Sequence, residues 1–429
     1  MRVERIAWDG SDARARARAI RALVPAAQEI AATVAGIVAE VRERGDAALR
    51  ELSVRLDATA VAASELALRV DPAEIERARA GADPSLVGAL EVAARNIGSV
   101  ARAELEAASD ARAVLPQGQT VSVLRRPVRS AGVYAPGGRA AYPSSVLMCC
   151  VPARVAGVDR IALASPPGTD GSVHPATLTA CSVAGVEEVY ALGGAQAIAA
   201  FGYGTETVAA VDVIAGPGNR FVNEAKRAVF GHVGVDGVAG PSELAVVLDG
   251  AADPRSVALD LLAQAEHGGE SLLVAISASG AALDALSEQL EALASERKME
   301  AGILVGVVAS PDLALAIELA DALAPEHLEL ALESADERLA AERVAGAVFF
   351  GPGGAVAFGD YAAGSNHVLP TGGAARFGGP LGVGTFRRRS SVVELPPEAV
   401  SGLAPRVAAL ARAEGFEVHA ESAEARSAG

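Results

Sequence analysis

The spacing of apolar residues divides the chain into a helical first part and a longer alternating part. Between about Pro25 and Ala108 apolar residues recur every three or four positions, as in EIAATVAGIVAEVRERGDAALREL, which predicts helix throughout this range. After Gln119 short β-rich runs alternate with helical ones, and AGVYAP, DRIALASPP, EEVYALGG and VDVIAGPG are the first strands. This alternation is typical of a parallel sheet covered by helices.

The alternation predicts an α/β fold with two units that divide near Ser130 and near Val238. We expect residues 1–24 to form an N-terminal arm, residues 25–129 to pack with 239–384 in one domain, and residues 130–238 to form the other. Residues 385–429 begin with a basic, β-branched stretch, continue as a helix from Pro397 to about Glu414, and end in a frayed segment. This tail is too small to bury its own core, so it must dock on another surface.

Composition narrows the possible partners. With 51% hydrophobic and 21% charged residues, the chain has the balance of a soluble globular protein. Its formal charge of −16 argues against a nucleic-acid partner, since nothing in the sequence resembles the basic stripe that phosphate binding needs. We expect no signal peptide and no membrane span. The three cysteines, Cys149, Cys150 and Cys181, lie in apolar runs and indicate buried thiols in a reducing cytoplasm.

Histidine is scarce, yet two of the six histidines directly follow a glutamate, in QAEHGGE and APEHLEL. Gln264 and His267 are three residues apart, so at a helix end both would leave the same face; a capped end with a surface histidine is the alternative. Asp360 and His367 lie in FGDYAAGSNHVLPTGG, which predicts either a site on a loop or a polar surface loop. His419, in EGFEVH, taken alone is typical of an exposed tail.

Four glycine-rich stretches each follow a predicted strand: VYAPGGRAAYPSS, ALGGAQAIAAFGYG, IAGPGN and VAGPSE. None has the G-x-G-x-x-G spacing of the common dinucleotide fingerprint. Glycine lets the backbone approach a ligand closely, and open α/β sheets bind ligands at the carboxyl ends of their strands. One such stretch would be a tight turn, but four together favour a ligand crevice.

Eight stretches, taken together, resemble the histidinol dehydrogenase family: VYAPGG, ALGGAQAIAA, IAGPGN, VDGVAGPSE, QAEHG, APEHLE, GDYAAGSNHVLPT and EGFEVH. They follow the family's order and spacing over essentially the whole chain. The resemblance implies NAD-dependent oxidation of L-histidinol through L-histidinal to L-histidine, with one zinc ion per subunit. It also implies two Rossmann-like domains with a helical N-terminal segment and a small C-terminal tail, in an intertwined, cytoplasmic homodimer.

The resemblance also implies a role for individual residues. Glu326 and His327 match the catalytic acid–base pair. The positions that match zinc ligands are Gln264, His267, Asp360 and His419. The positions that match substrate contacts are these ligands and His327, together with Ser242, His367 and Glu414. The positions that match NAD contacts are Tyr134, Gln196 and Asn219.

The residue types suit the implied chemistry. A set of imidazole, carboxylate and amide ligands without a thiolate is that of an open metal site, and it would also accept manganese or cobalt. An aldehyde can give up a hydride only after water or a thiol has added to it. The cysteines lie in apolar segments that would raise a thiol's pKa, so activated water is favoured over a thiol. The apolar surroundings of Glu326 should raise its pKa and make it a better base.

Three other functions remain open at this stage. A metal-dependent hydrolase would use a glutamate, a histidine and a metal, but it would leave Tyr134, Gln196 and Asn219 without a role. A ligand-binding protein that has lost catalysis would have no need of both Glu326 and His327. A related dehydrogenase of another amino alcohol is the third possibility.

Overall fold

The computed structural model describes residues 1–24, 30–57, 59–137, 140–299, 303–351 and 353–427. In its first third the elements are β1 Arg2–Ala7, α1 Ala13–Arg21, α2 Ala31–Arg44, α3 Asp46–Leu56, α4 Pro72–Gly81, α5 Pro84–Ala107, β2 Ala111–Val114 and β3 Thr120–Pro127. The middle third comprises β4 Ser130–Tyr134, α6 Pro143–Val155, β5 Arg160–Ser165, α7 Pro175–Ala184, β6 Glu188–Ala191, α8 Gly194–Tyr203, β7 Val213–Ala215, α9 Arg220–Val229 and β8 Gly234–Val235.

The remaining part begins with β9 Glu243–Leu248, α10 Pro254–Ala265, β10 Leu272–Ser277, α11 Gly280–Glu296, β11 Leu304–Ala309, α12 Leu313–Leu323 and β12 His327–Ala331. It continues with α13 Glu337–Ala341, β13 Ala347–Phe350, α14 Val356–Tyr361, β14 Arg387–Glu394, α15 Pro397–Ala413 and α16 Glu417–Ser427. Two short 3-10 turns, Ala374–Arg376 and Val383–Phe386, precede β14.

A five-stranded parallel sheet has the order β6-β5-β4-β7-β8. Its central strands are buried on both faces, as parallel strands covered by helices are. One face packs on α6 and α7, and the other packs on α8 and α9. The predicted α/β class and its parallel sheet are therefore confirmed.

The helices of residues 31–107 pack on this five-stranded sheet. Helices α4 and α5 extend the core on the α6–α7 side, and α2 and α3 extend the core on the α8–α9 side. The structure thus places them with residues 130–238, whereas the sequence prediction grouped residues 25–129 with 239–384. The apolar spacing shows that these helices bury one face but does not show which sheet that face meets.

The helical range is also interrupted. Gly45 has a positive φ of 54° between α2 and α3, and residues Asp71 and Asp83 each cap a new helix that begins with proline. The prediction of helix throughout Pro25 to Ala108 is therefore wrong at Gly45, over residues 59–71, and between Gly81 and Pro84. Its predicted start at Pro25, and Ala58, lie outside the described residues.

A six-stranded parallel sheet has the order β1-β11-β10-β9-β12-β13. Residues 1–24 are not the predicted arm, because β1 is an edge strand that pairs with β11 from Arg2 to Ala7. Helix α1 buries Ile20 against the α12 side of the same sheet. The sequence prediction missed this because one short strand followed by an arginine-rich helix does not show the repeated alternation of strands and helices by which the two α/β units were predicted.

The C-terminal segment joins a third sheet, β14-β3-β2, which is antiparallel. The predicted helix from Pro397 is confirmed as α15, but the segment after it is a second helix, α16, and not a frayed end. The two helices bury only Ala408, Ala411 and Ala420 between them. Several large apolar side chains here are exposed, among them Val407, Leu410, Phe416 and Val418. No helix in the described ranges is long and apolar enough to cross a membrane.

A buried ion pair fixes the loop that follows β7. The Lys226 ammonium lies 2.6 Å from Asp236 Oδ1 and also donates to the Gly216 carbonyl oxygen. The other carboxylate oxygen, Asp236 Oδ2, accepts the Gly216 N–H at 2.8 Å. Both charged side chains are almost completely buried, so each is compensated only by the other and by the backbone.

We expect Lys226→Met to lower the free energy of unfolding by about 3–5 kcal/mol, because it leaves the Asp236 carboxylate buried and unpaired. Urea unfolding followed by circular dichroism measures this change. Arg227→Met on the same helix is the control, since its side chain is two-thirds exposed and its effect should stay below about 1 kcal/mol. Equal effects of the two substitutions would contradict the importance of the buried pair.

Candidate active site

The buried carboxyl and imidazole of the APEHLEL stretch lie where β12 begins. β12 pairs in parallel with β9, so His327 lies beside Leu244 and Glu326 lies close to Ser242 and Glu243. Glu326 Oε2 accepts the Ser242 hydroxyl at 2.5 Å and the Glu243 N–H at 2.9 Å. Burial raises the pKa of Glu326, against the lowering effects of His327 and these donors, so the predicted direction is confirmed.

His327 is held in one tautomer. Its Nδ1 lies 3.1 Å from the Glu243 carbonyl oxygen, which only accepts hydrogen bonds, so Nδ1 carries a proton. Its Nε2 is buried, and in the described part of the chain it has no hydrogen-bond partner, although Asp360 Oδ1 lies 3.4 Å away. Burial lowers the pKa of His327, but Asp360 and Glu326 outweigh burial and raise it. Nε2 is therefore an atom that can take up a proton.

Three of the four residues matched to metal ligands come together beside this pair. Gln264 lies in the last turn of α10, and His267 follows the C-cap residue Glu266 just beyond that helix. Gln264 is buried and donates to the Ser242 hydroxyl. His267 interacts electrostatically with Asp360 and His327, and desolvation lowers its pKa. Asp360 lies on the short helix α14 and not in a loop as the sequence suggested.

His367 links the two parallel-sheet units. Its Nδ1 lies 2.8 Å from the Asp360 carbonyl oxygen, and its Nε2 lies 3.2 Å from the Ser145 hydroxyl at the start of α6. The carbonyl accepts only, so Nδ1 carries a proton. Because burial lowers the pKa of His367, the ring is neutral near pH 7, and the Ser145 hydroxyl donates to Nε2.

The structure does not bring Glu414 and His419 into this cluster. Glu414 ends α15, and His419 lies in α16 with its ring 5.4 Å from that of Phe416; both are exposed. Over the described ranges of this single chain, no three His, Cys, Asp or Glu side chains assemble as a metal site. The chain thus gathers Gln264, His267 and Asp360 and leaves the fourth matched position outside.

Two of the three residues matched to NAD contacts meet at the start of α8. The Tyr134 hydroxyl accepts the Gly194 N–H at 3.1 Å. Gln196 Nε2 donates to Asp57 Oδ2 at 3.1 Å, while its buried Oε1 has no partner among the described residues. Asn219 lies apart from them in the chain and caps α9 through Oδ1, which accepts the N–H groups of Phe221 and Val222.

The loop of Gly216 and Asn219 reaches the Tyr134 backbone. A Cβ at Gly216 would lie 2.1 Å from the Tyr134 carbonyl oxygen, and φ is +120°, so only glycine fits. This close approach explains the first glycine of IAGPGN. Gly138 of the VYAPGG stretch lies outside the described residues.

Sequence reasoning missed Asp57, Ser145 and Glu243. Asp57 follows α3, accepts the Gly193 N–H, and has its pKa raised to about 6 by burial. Ser145 lies within an apolar helix, and nothing in its spacing distinguishes it. Glu243 could have been found, because a glutamate that opens an otherwise apolar buried strand must have partners.

Comparisons with known proteins agree with this geometry. The family model described as histidinol dehydrogenase matches residues 23–427. The histidinol dehydrogenase of Moorella thermoacetica is 45% identical over 415 residues, covering 94% of this chain and 95% of its own. That of Rhizobium meliloti is 44% identical over 410 residues, covering 93% and 92%. The crystal structure of histidinol dehydrogenase from Elizabethkingia anophelis superposes with a TM-score of 0.90 at 30% identity, covering 99% and 97%.

We expect His367 to be neutral near pH 7, because burial lowers its pKa, and to carry its proton on Nδ1, because the Asp360 carbonyl oxygen can only accept. Long-range ¹H–¹⁵N spectra of ¹⁵N-histidine-labelled protein report this, with His367→Gln identifying the signals. Ser145→Ala should shift the Nε2 resonance and leave Nδ1 protonated. A proton on Nε2, or a doubly protonated ring, would rule out this arrangement.

Proposed function

This chain belongs to the histidinol dehydrogenase family, and from that premise we propose that it oxidises L-histidinol to L-histidine in two NAD-dependent steps with the help of zinc. The observation that carries the proposal is the buried pair of Glu326 and His327, with an imidazole nitrogen free to accept a proton. We further propose a cytoplasmic homodimer as the working form.

The two oxidations differ in what they require of the protein. In the first, the alcohol loses its hydroxyl proton to a base and a hydride to NAD⁺, which gives the aldehyde and NADH. In the second, water adds to the aldehyde, and the hydrate loses a hydride and a proton to give the carboxylic acid, which ionises. Four electrons leave the substrate, two NAD⁺ are reduced, and one water is consumed.

His327 suits the proton transfers of both steps. Its Nδ1–H is fixed on the Glu243 carbonyl, so Nε2 is the atom that accepts the proton. The Asp360 carboxylate at 3.4 Å stabilises the imidazolium that forms. Glu326 suits the activation of water, because its raised pKa makes the carboxylate a stronger base while two donors keep it oriented.

The residues fit a zinc ion. Gln264, His267 and Asp360 offer amide oxygen, imidazole and carboxylate donors, and desolvation keeps His267 in the neutral, ligating form. One chain leaves the set a ligand short, which fits completion by His419 of a second copy. Zinc, when bound, would orient the substrate by coordinating its imidazole and amine.

The residues also fit NAD and the substrate. Tyr134 ends β4, Gln196 lies in the first turn of α8 after β6, and Asn219 caps α9 after β7. All three therefore lie at the carboxyl ends of parallel strands, and Gln196 Oε1, which has no partner among the described residues, is available to a ligand. NAD, when bound, would accept the hydride of each oxidation. Ser242, His367 and Glu414 are the proposed substrate contacts besides the ligands and His327, and Glu414, like His419, would have to come from a second copy.

We expect two NADH to be formed for each L-histidinol consumed, with little free aldehyde released, because both proton-handling groups occupy one site. Absorbance of NADH against residual histidinol measures the ratio. One NADH with accumulating aldehyde would exclude the two-step function, and no NADH with hydrolysed amides or esters would favour a hydrolase.

Glu326→Gln provides the matched control, since it keeps the side-chain volume and removes the base. It should impair oxidation of supplied L-histidinal much more than the first oxidation of L-histidinol, because only the aldehyde step needs activated water. His327→Ala should impair both. Equal losses in the two steps for Glu326→Gln would contradict this division of roles.

The exposed tail supports a site shared between two copies. Val407, Leu410, Phe416 and Val418 are exposed in the single chain, and α15 and α16 bury only three alanines against each other. If the tail crosses to a second copy, His419 and Glu414 enter that copy's site. The dimer would then have two-fold symmetry, with each site built from both chains.

Asp360→Ala and His419→Ala homodimers should both be nearly inactive, whereas their co-expressed mixture should recover about a quarter of wild-type activity. With random pairing about half of the dimers are mixed, and one of the two sites in each mixed dimer is intact. Tagged co-purification confirms that mixed dimers are present. Absence of recovery in purified mixed dimers would mean that all ligands come from one chain.

A further inference from the structure

Arg21, at the end of helix α1, reaches the buried carboxylate beside the catalytic pair. Its Nη2 donates to Glu243 Oε2 at 3.1 Å, its Nη1 donates to Oε1, and Nη2 also donates to the Leu323 carbonyl oxygen. The Glu243 side chain is only 5% exposed, while that of Arg21 is about a quarter exposed. The two-pronged contact therefore fastens α1 to the first residue of β9.

Glu243 contacts both catalytic residues. Its Oε2 accepts the Glu326 N–H at 3.3 Å, and its own N–H donates to Glu326 Oε2 at 2.9 Å. Its carbonyl oxygen accepts the His327 Nδ1–H, and Oε1 accepts the Gly372 N–H at 2.9 Å. A change in the Glu243 side chain would thus reach Glu326 directly, whereas the strand backbone would still hold His327.

The positive charge of Arg21 balances the Glu243 carboxylate that lies next to Glu326. The charged groups that face Glu326 are His327 from β12 and Glu243 from β9, with Arg21 of α1 behind Glu243 and Asp360 of α14 behind His327. The Glu243 carboxylate opposes ionisation of Glu326. Without Arg21, the Glu243 carboxylate would lose its ion-pair partner and lie buried beside the Glu326 carboxylate, which disfavours the ionised base.

We propose that Arg21 is a positioning residue that acts through Glu243 to keep Glu326 oriented and ionised, so that helix α1 is part of the machinery for aldehyde oxidation. The proposal rests on the proposed function, because it assumes that Glu326 activates water in the second step. The alcohol step depends on His327, whose contact with Glu243 is made by the backbone, and should depend little on Arg21.

The test compares Arg21→Met, Arg21→Lys and Arg14→Met, the last being an exposed arginine of the same helix. With L-histidinal as substrate at pH 7, Arg21→Met should lower kcat about tenfold, which is part of what a positioned general base contributes, with little change in KM. Its activity should recover at higher pH, because a raised pKa moves the ionisation of the base upward. The first oxidation, measured as single-turnover NADH from L-histidinol, should change less than about threefold. Arg14→Met should match the wild type.

The double variant Arg21→Met/Glu243→Gln shows whether Arg21 acts through Glu243. Removing the unpaired carboxylate should restore part of the aldehyde oxidation that Arg21→Met loses. Arg21→Lys keeps the charge and loses the two-pronged contact. It should also impair aldehyde oxidation more than alcohol oxidation, but by a smaller factor than Arg21→Met, and it replaces Arg21→Met in the test if that variant does not fold. Equal losses of both oxidations, or additive losses in the double variant, would overturn the proposal.

Glu326→Gln, measured in parallel, separates this inference from the proposed function. If Glu326→Gln impairs both oxidations equally and Arg21→Met follows it, the role assigned to Glu326 is wrong, and the coupling through Glu243 stands. If Glu326→Gln is selective for the aldehyde step and Arg21→Met is not, the coupling is wrong, and the proposed function stands.

Discussion

The parallel pairing of β9 with β12 is the constraint on which the rest of the site depends. The register places His327 beside Leu244, so the residues that precede each strand, Ser242 and Glu326, meet at the same edge of the sheet. Helix α10 follows β9 and returns its last turn to that edge, which brings Gln264 onto the Ser242 hydroxyl. A shift of one residue in this register would turn His327 to the other face of the sheet and dissolve the cluster.

The two imidazoles nearest this edge are oriented by the same device. Each donates its Nδ1 proton to a backbone carbonyl, from Glu243 for His327 and from Asp360 for His367. Their Nε2 atoms then differ, because Ser145 donates to that of His367 and no described group donates to that of His327. The Ser145 hydroxyl therefore distinguishes the two histidines, because it occupies Nε2 of His367 while Nε2 of His327 has no donor among the described residues.

Sequence patterns were most informative where a function requires several residues at fixed spacing. The α/β class and the helix from Pro397 follow from periodicity, whereas the grouping of Gln264, His267 and Asp360 with Glu326 and His327 was implied by the family resemblance. The sequence does not show which sheet the helices of residues 31–107 pack on, because an apolar helix face indicates that it is buried but not which surface it contacts. Asp57 and Ser145 were missed for a related reason: their roles come from contacts between segments far apart in the chain.

The edge position of β1 has a consequence for the order in which the chain folds. Arg2 pairs with Leu304, so β1 leaves the ribosome about three hundred residues before its partner is made. The five-stranded sheet and its helices lie between residues 31 and 235 and can form while synthesis continues, since domains fold as units. Helix α1, with Arg21, can dock only after β9 has been made. Completion of the six-stranded sheet, and with it of the edge that carries Glu326 and His327, therefore follows the synthesis of the whole five-stranded unit.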